Sequence, residues 1–107
     1  MIRITISRNQ TGQIVGAKVI GHAGYADAGE DIVCAAVSIL IQNAVNSIEA
    51  LCGVSLHTVS EDGRVEFQSA DCADRKDIQL LLESMTFGMR GISEEYPNFV
   101  RVREQKI

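Results

Sequence analysis

The stretch IVCAAVSILIQNAVNSIEALCG, Ile32 to Gly53, decides the fold. It spans about six turns of α-helix at 3.6 residues per turn, and it ends on a glycine in the position that helix C-termini favour. Apolar side chains cover most of its circumference. Such a helix is expected to be buried on more than one side, with a sheet against one face and a second helix or a subunit against the other.

On the N-terminal side, IRITIS alternates Ile2, Ile4 and Ile6 with Arg3, Thr5 and Ser7, the period of a strand with one buried face. RNQTGQ reads as a turn. The β-branched run IVGAKVIGH then returns as the second strand of a hairpin that ends near His22. On the C-terminal side, VSLHTVS and RVEFQSA flank the turn signal Asp62-Gly63 and predict a second hairpin. DRKDIQLLLESMTFGMRGI follows, with Ile78, Leu81, Leu82, Met85, Met89 and Ile92 on one helical stripe and Asp71 or Asp74 as N-cap. NFVRVR, after Pro97, supplies a last short strand. The order ββαββαβ predicts an α+β fold, a two-layer sandwich in which two helices pack on a mostly antiparallel sheet.

The 107 residues suffice for one hydrophobic core and are too few for two, so residues 1–107 read as a single domain. With 46% hydrophobic and 22% charged residues the chain lies far from disordered compositions. Its formal net charge of −4 argues against a protein built to neutralise phosphates, and no direct nucleic-acid binding is expected. The one dense cationic run, RVREQK from Arg101 to Lys106, reads as a solvated strand edge. MIRITISRNQ carries Arg3 and Arg8 and has no apolar signal region, so neither a secretory signal nor a membrane span is expected. Cys34, Cys52 and Cys72, odd in number and without CxxC spacing, fit a reducing cytoplasmic setting better than a disulfide scaffold or a zinc site.

The chemistry gathers at GHAGYADAGEDIVCAAVS, Gly21 to Ser38. If Asp31 caps the long helix, Cys34 falls in its first turn, where unpaired N–H groups and the positive end of the helix dipole favour an anion. A thiol so placed is easier to ionise and becomes a candidate nucleophile. The same N–H groups are candidates to receive the oxyanion of a tetrahedral intermediate. His22 stands at a strand end, and the intervening loop is long enough to fold back over the helix start. A cysteine with a histidine base meets the minimum for acyl transfer. Gly21, Gly24 and Gly29 give the loop the freedom of a lid over substrate, and Tyr25 offers it an aromatic contact.

Taken singly, these residues have plainer readings. Cysteine is among the most often buried residues, and that reading holds for Cys52 and Cys72. Cys52 lies about 27 Å along the helix from Cys34 and belongs to another site. His57 reads as an ordinary strand residue and Asp31 as a simple cap. Ser38, one turn beyond Cys34, either reaches the site or bonds back to its own helix. Gly21-His22-Ala23-Gly24 has the G-x-x-G form of an RNA clamp, but the acids after it oppose that use. No arginine follows Cys34 at phosphatase spacing. Two distant histidines without paired ligands predict no metal site, and no cofactor is expected.

In its order of residues, GHAGYA followed by GEDIVCAAVS, the segment resembles the signature of the ribosomal-processing cysteine protease family, Prp, and the element order and chain length match that family from end to end. The resemblance implies a cytoplasmic bacterial endopeptidase that removes a short N-terminal extension from large-subunit ribosomal protein twenty-seven, cutting after a pair of phenylalanines. It assigns Cys34 as nucleophile and His22 as base, gives Asp31 and Ser38 supporting places, and implies a homodimer. The competing reading is a non-enzymatic ribosome-associated module that grips a peptide or RNA without cutting it.

Overall fold

The computed structural model describes residues 1–27 and 29–107. Strands β1 (Ile2–Arg8) and β2 (Ile14–Ile20) form the first hairpin, helix α1 (Ile32–Cys52) follows, and β3 (His57–Glu61) and β4 (Arg64–Gln68) form the second. A short 3-10 turn at Ala70–Cys72 leads to helix α2 (Lys76–Glu95) and to the last strand, β5 (Val100–Lys106). The expected ββαββαβ order is the observed one.

The strands lie in the order β3-β4-β2-β1-β5. Three of the four pairings are antiparallel, while β5 runs parallel to β1, so the sheet is mixed. Parallel neighbours need a crossover, and here the chain from β1 to β5 includes both helices. Both helices cover one face. Ile2, Ile4 and Ile6 of β1, Ala17 and Val19 of β2, Phe67 of β4 and Val100 of β5 turn toward them and form the core. Side-chain alternation then leaves Arg3, Thr5, Lys18 and Arg101 on the uncovered face.

In α1 the buried stripe is Val33, Val37, Ile41, Ala44 and Ile48, at the spacing of a single helical face. Each valine and isoleucine of the stripe contributes about 1.5–3 kcal/mol on full burial. α1 also packs on α2: a Cβ built on Gly88 would stand 3.0 Å from the Leu40 side chain, so Gly88 permits the close approach. Burial on two sides thus follows from the sheet and α2, and Ile32 and Ile39 remain exposed. By length and apolarity α1 is sufficient to cross a membrane, but in this fold its buried stripe forms the centre of the core.

The start of α2 differs from expectation. Neither Asp71 nor Asp74 caps it; its N-cap is Arg75, which makes no side-chain capping bond. The N–H of Cys72 donates to Ser69 O, that of Ala73 to Ala70 O and that of Arg75 to Cys72 O, a run of tight turns that seats Cys72 and Ala73 in the core before the helix begins. Asp77 supplies the first-turn acid. Hydrogen bonds donated by the Arg75 guanidinium, opposed by some desolvation, hold its carboxyl down at about 2. Of the predicted stripe, Ile78, Leu82, Met85 and Met89 are buried, and Leu81 and Ile92 lie at its margin.

Candidate active site

The site forms where β2 ends, where α1 begins and where the second hairpin turns. Asp31 is the N-cap of α1: its Oδ1 accepts from the N–H of Val33 at 3.0 Å and of Cys34 at 2.9 Å. Its Oδ2 accepts from the N–H of Tyr25 at 3.0 Å and of Ala26 at 3.4 Å. One carboxylate therefore closes the helix start and ties down the loop that precedes it. Burial raises the Asp31 carboxyl, but hydrogen bonds from Cys34, Tyr25 and Ala26 outweigh this and leave it below the usual carboxylate range.

Cys34 is half-buried in the first turn of α1. The N–H of Ala23 donates to its Sγ at 3.2 Å. Because Ala23 directly follows His22, the contact on the sulfur brings the histidine-bearing strand end against the helix start. His22 and Cys34 jointly line a cleft of about 210 Å³, with Val37 and Ser38 on its α1 side, and a larger one of about 550 Å³ with Gly24, Gly29 and Asp31. The N–H groups of Val33 and Cys34, expected to be open to an oxyanion, are instead engaged by Asp31. The backbone donor aimed at the Cys34 sulfur is that of Ala23.

His22 is held from two sides. The N-terminal ammonium of Met1 donates to its carbonyl oxygen at 2.6 Å, and the Asp62 carboxylate stands 3.5 Å from its Nε2. Asp62 and Gly63 reach the site because Ile20, the last residue of β2, pairs with Arg64, the first of β4. The turn between β3 and β4 is then level with Gly21 and His22, and the N–H of Gly21 donates to Gly63 O at 2.8 Å. Asp62 and Gly63 were legible only as turn residues, since nothing local connects them with His22.

Gly21 has φ +97°, and a Cβ there would stand 2.5 Å from the carbonyl oxygen of Met1. That oxygen cannot retreat easily, because Ile2 is bonded into β1 and its N–H donates to Phe99 O at 2.8 Å. Gly21→Ala is expected to cost about 2–4 kcal/mol, the sum of left-handed strain and a backbone clash. Urea unfolding would show a lower midpoint at unchanged slope; a midpoint equal to that of the unmodified chain would contradict this packing.

Among the remaining loop residues, Tyr25 turns from the clefts and packs edge-on against Tyr96 and Phe99, at ring-centroid distances of 5.6 and 5.2 Å. Ala28 lies outside the described residues. His57, Cys52 and Cys72 are remote from His22 and line neither cleft. Burial pushes the thiols of Cys52 and Cys72 up, and Asp77 adds to the effect at Cys52. Iodoacetamide near neutral pH is therefore expected to label Cys34 about tenfold or more faster than either. Peptide mapping that found the three thiols labelled at equal rates would contradict this placement.

A thiol at a helix start, touched by the residue next to a histidine, has the parts of a cysteine protease site, and comparison with known proteins places the chain in that class. The family described as Cysteine protease Prp matches residues 1–101. The chain belongs to the Prp family of cysteine proteases. It is 36% identical over 107 residues to the ribosomal processing cysteine protease Prp of Bacillus subtilis, covering 95% of this chain and 96% of that one. It is 31% identical over 104 residues to the protein of the same name from Staphylococcus aureus, covering 95% and 97%. The crystal structure of the S. aureus essential ribosomal processing protease Prp with a covalently linked product peptide superposes with a TM-score of 0.93 at 30% identity, covering 98% of this chain and all of that one. Family membership sets aside the reading as a non-enzymatic module.

Proposed function

We propose that the chain is an endopeptidase that removes the short N-terminal extension of large-subunit ribosomal protein twenty-seven, cutting after an aromatic pair, with Cys34 as nucleophile and His22 as general base. The observation that supports this reading is that His22 and Cys34 line the same two clefts, with the N–H of Ala23, the residue after His22, on the Cys34 sulfur at 3.2 Å. His22 takes the thiol proton and Sγ attacks the scissile carbonyl carbon. The carbonyl oxygen becomes an oxyanion beside the sulfur, and the Ala23 N–H, which already faces that sulfur, is the backbone donor proposed to receive it. Collapse breaks the C–N bond, His22 returns the proton to the leaving amine, and a thioester remains on Cys34. Water, deprotonated by His22, then attacks the thioester and releases the new carboxyl terminus and the thiol.

Asp31 supports the reaction by fixing the helix start and the loop together, and Ser38 stands on the α1 wall of the smaller cleft. Gly24 and Gly29, at φ +72° and +86°, form parts of the wider cleft's wall that can change shape over a peptide. The enzyme is proposed to work in the cytoplasm as a homodimer. The exposed apolar residues Ile39 of α1 and Leu80 and Phe87 of α2 support a partner on the helical layer. The test of the cleavage reading is a synthetic peptide carrying the extended ribosomal-protein N-terminus, with mass identification of the products. A single cut after the paired phenylalanines is expected; an intact peptide, or a cut elsewhere, would overturn it.

A further inference from the structure

The uncovered face of the sheet carries a charge pattern that peptide cleavage does not use. In register across the strands, one row reads Glu61, Arg64, Ile20, Arg3 and Arg101, and the next reads Val59, Glu66, Lys18, Thr5 and Arg103. The two acids lie on β3 and β4, where both pair with Arg64 at 3.7 and 2.9 Å. Across β2, β1 and β5 the face is cationic, and among the described residues Arg3, Lys18, Arg101 and Arg103 make no salt bridge. Glu104, the acid of β5, points the other way and pairs with Arg8 and Arg90. A groove of about 510 Å³ runs between these cations, and no carboxylate lines it.

Arg3 and Arg101 are direct cross-strand neighbours, and like charges so placed destabilise a sheet. A chain of net charge −4 that places four of its ten Lys and Arg residues on one open face has a surface that an anionic partner would stabilise. A second copy fits poorly there, because a two-fold contact would set each cluster against its twin. No aromatic side chain lines the groove, which suits a phosphate backbone and leaves no platform on which bases would stack. The row that holds Arg3 and Arg101 also includes Ile20, two residues before His22, so it lies at the end of the sheet nearest the candidate site.

The geometry points to this face as a docking surface for the phosphate backbone of structured RNA, which would present a ribosome-bound protein terminus to the cleft. The choice of RNA rests on the ribosomal substrate proposed above, and the net charge alone, which averages over the chain, had argued against it. Binding of the full chain to a fluorescent RNA duplex of about 16 base pairs, followed by anisotropy at increasing salt, tests it. Four phosphate contacts on a duplex predict a log–log salt slope of about −3.6. Arg101→Glu with Arg103→Glu is expected to weaken binding at least about tenfold and halve the slope. Arg101→Gln with Arg103→Gln, a gentler change at the exposed edge, should fall between. Cleavage of an isolated peptide should be unchanged in both variants, so loss of RNA binding and failure of the protease reading are separately visible. Absence of binding at low salt, equal binding by the charge-reversed variant, or competition by polyglutamate as effective as that of unlabelled duplex would each overturn the inference. So would a charge-reversed variant whose sedimentation showed a change in oligomeric state, since the face would then be a contact between copies.

Discussion

Cys34→Ala and His22→Ala are each expected to lower kcat for peptide cleavage by about 10⁴-fold or more, and the double variant should be scarcely worse than either one. Without the sulfur there is no thioester, and without the imidazole there is no group on the strand end to take the thiol proton and return it to the leaving amine. Each loss disables the same sequence of steps, so the effects do not add. The variants should fold as the unmodified chain does. Cys34 is half-buried, and its replacement forfeits chiefly the contact with the Ala23 N–H; His22 is 64% exposed in its side chain and loses its contacts with Asp62 and Gly63. Thermal unfolding run beside the kinetics separates catalysis from stability. Cleavage by either single variant at the unmodified rate would remove the dyad, and a double variant much slower than both would mean that the two residues act in different steps.

The fold was legible because its strongest signals are periodic. The two-residue period of Ile2, Ile4 and Ile6, the helical stripe ending at Gly53 and the Asp62-Gly63 turn all appear where the sequence places them. What could not be read is what depends on contact between distant segments. The parallel seat of β5 beside β1, the delayed start of α2 behind the buried Cys72, and the arrival of Asp62 and Gly63 at His22 are consequences of register and packing. The candidate site was legible in its order of residue types, since a cap, a thiol and a glycine-bearing loop sit in one segment. Its hydrogen bonds were not: Asp31 was recognisable as a cap, but the loop amides on its second oxygen became visible only in three dimensions. The local charge pattern was hidden for a related reason, because alternation along β1, β2 and β5 sorts cations to the open face, which a whole-chain sum does not show.

Asp31→Asn and Asp31→Ala should part company, because the two carboxylate oxygens do different things. Oδ1 caps α1 through Val33 and Cys34, and asparagine keeps an oxygen there; Oδ2 accepts from Tyr25 and Ala26, and asparagine sets an NH₂ group against those two donors. Asp31→Asn is therefore expected to stay within about 1 kcal/mol of the unmodified chain in unfolding stability, since asparagine caps helices about as well as aspartate. Its cleavage should nonetheless fall about 10²-fold, because the exposed loop amides then bond to water and the loop is no longer held in place against the helix start. Asp31→Ala loses the cap as well and should be less stable by about 1–2 kcal/mol, with activity no better than that of the asparagine variant. The pH dependence gives an independent readout. A carboxyl whose folded value lies below its unfolded one, about 3.9 for aspartate, stabilises the fold above that value and loses this contribution as pH falls through the lowered one. Unmodified protein should thus lose stability on acidification below about pH 4 more steeply than Asp31→Asn, which has no proton to bind at that position. Parallel stability–pH curves, or an asparagine variant that cleaved at the unmodified rate, would show that the loop is held by something other than Asp31.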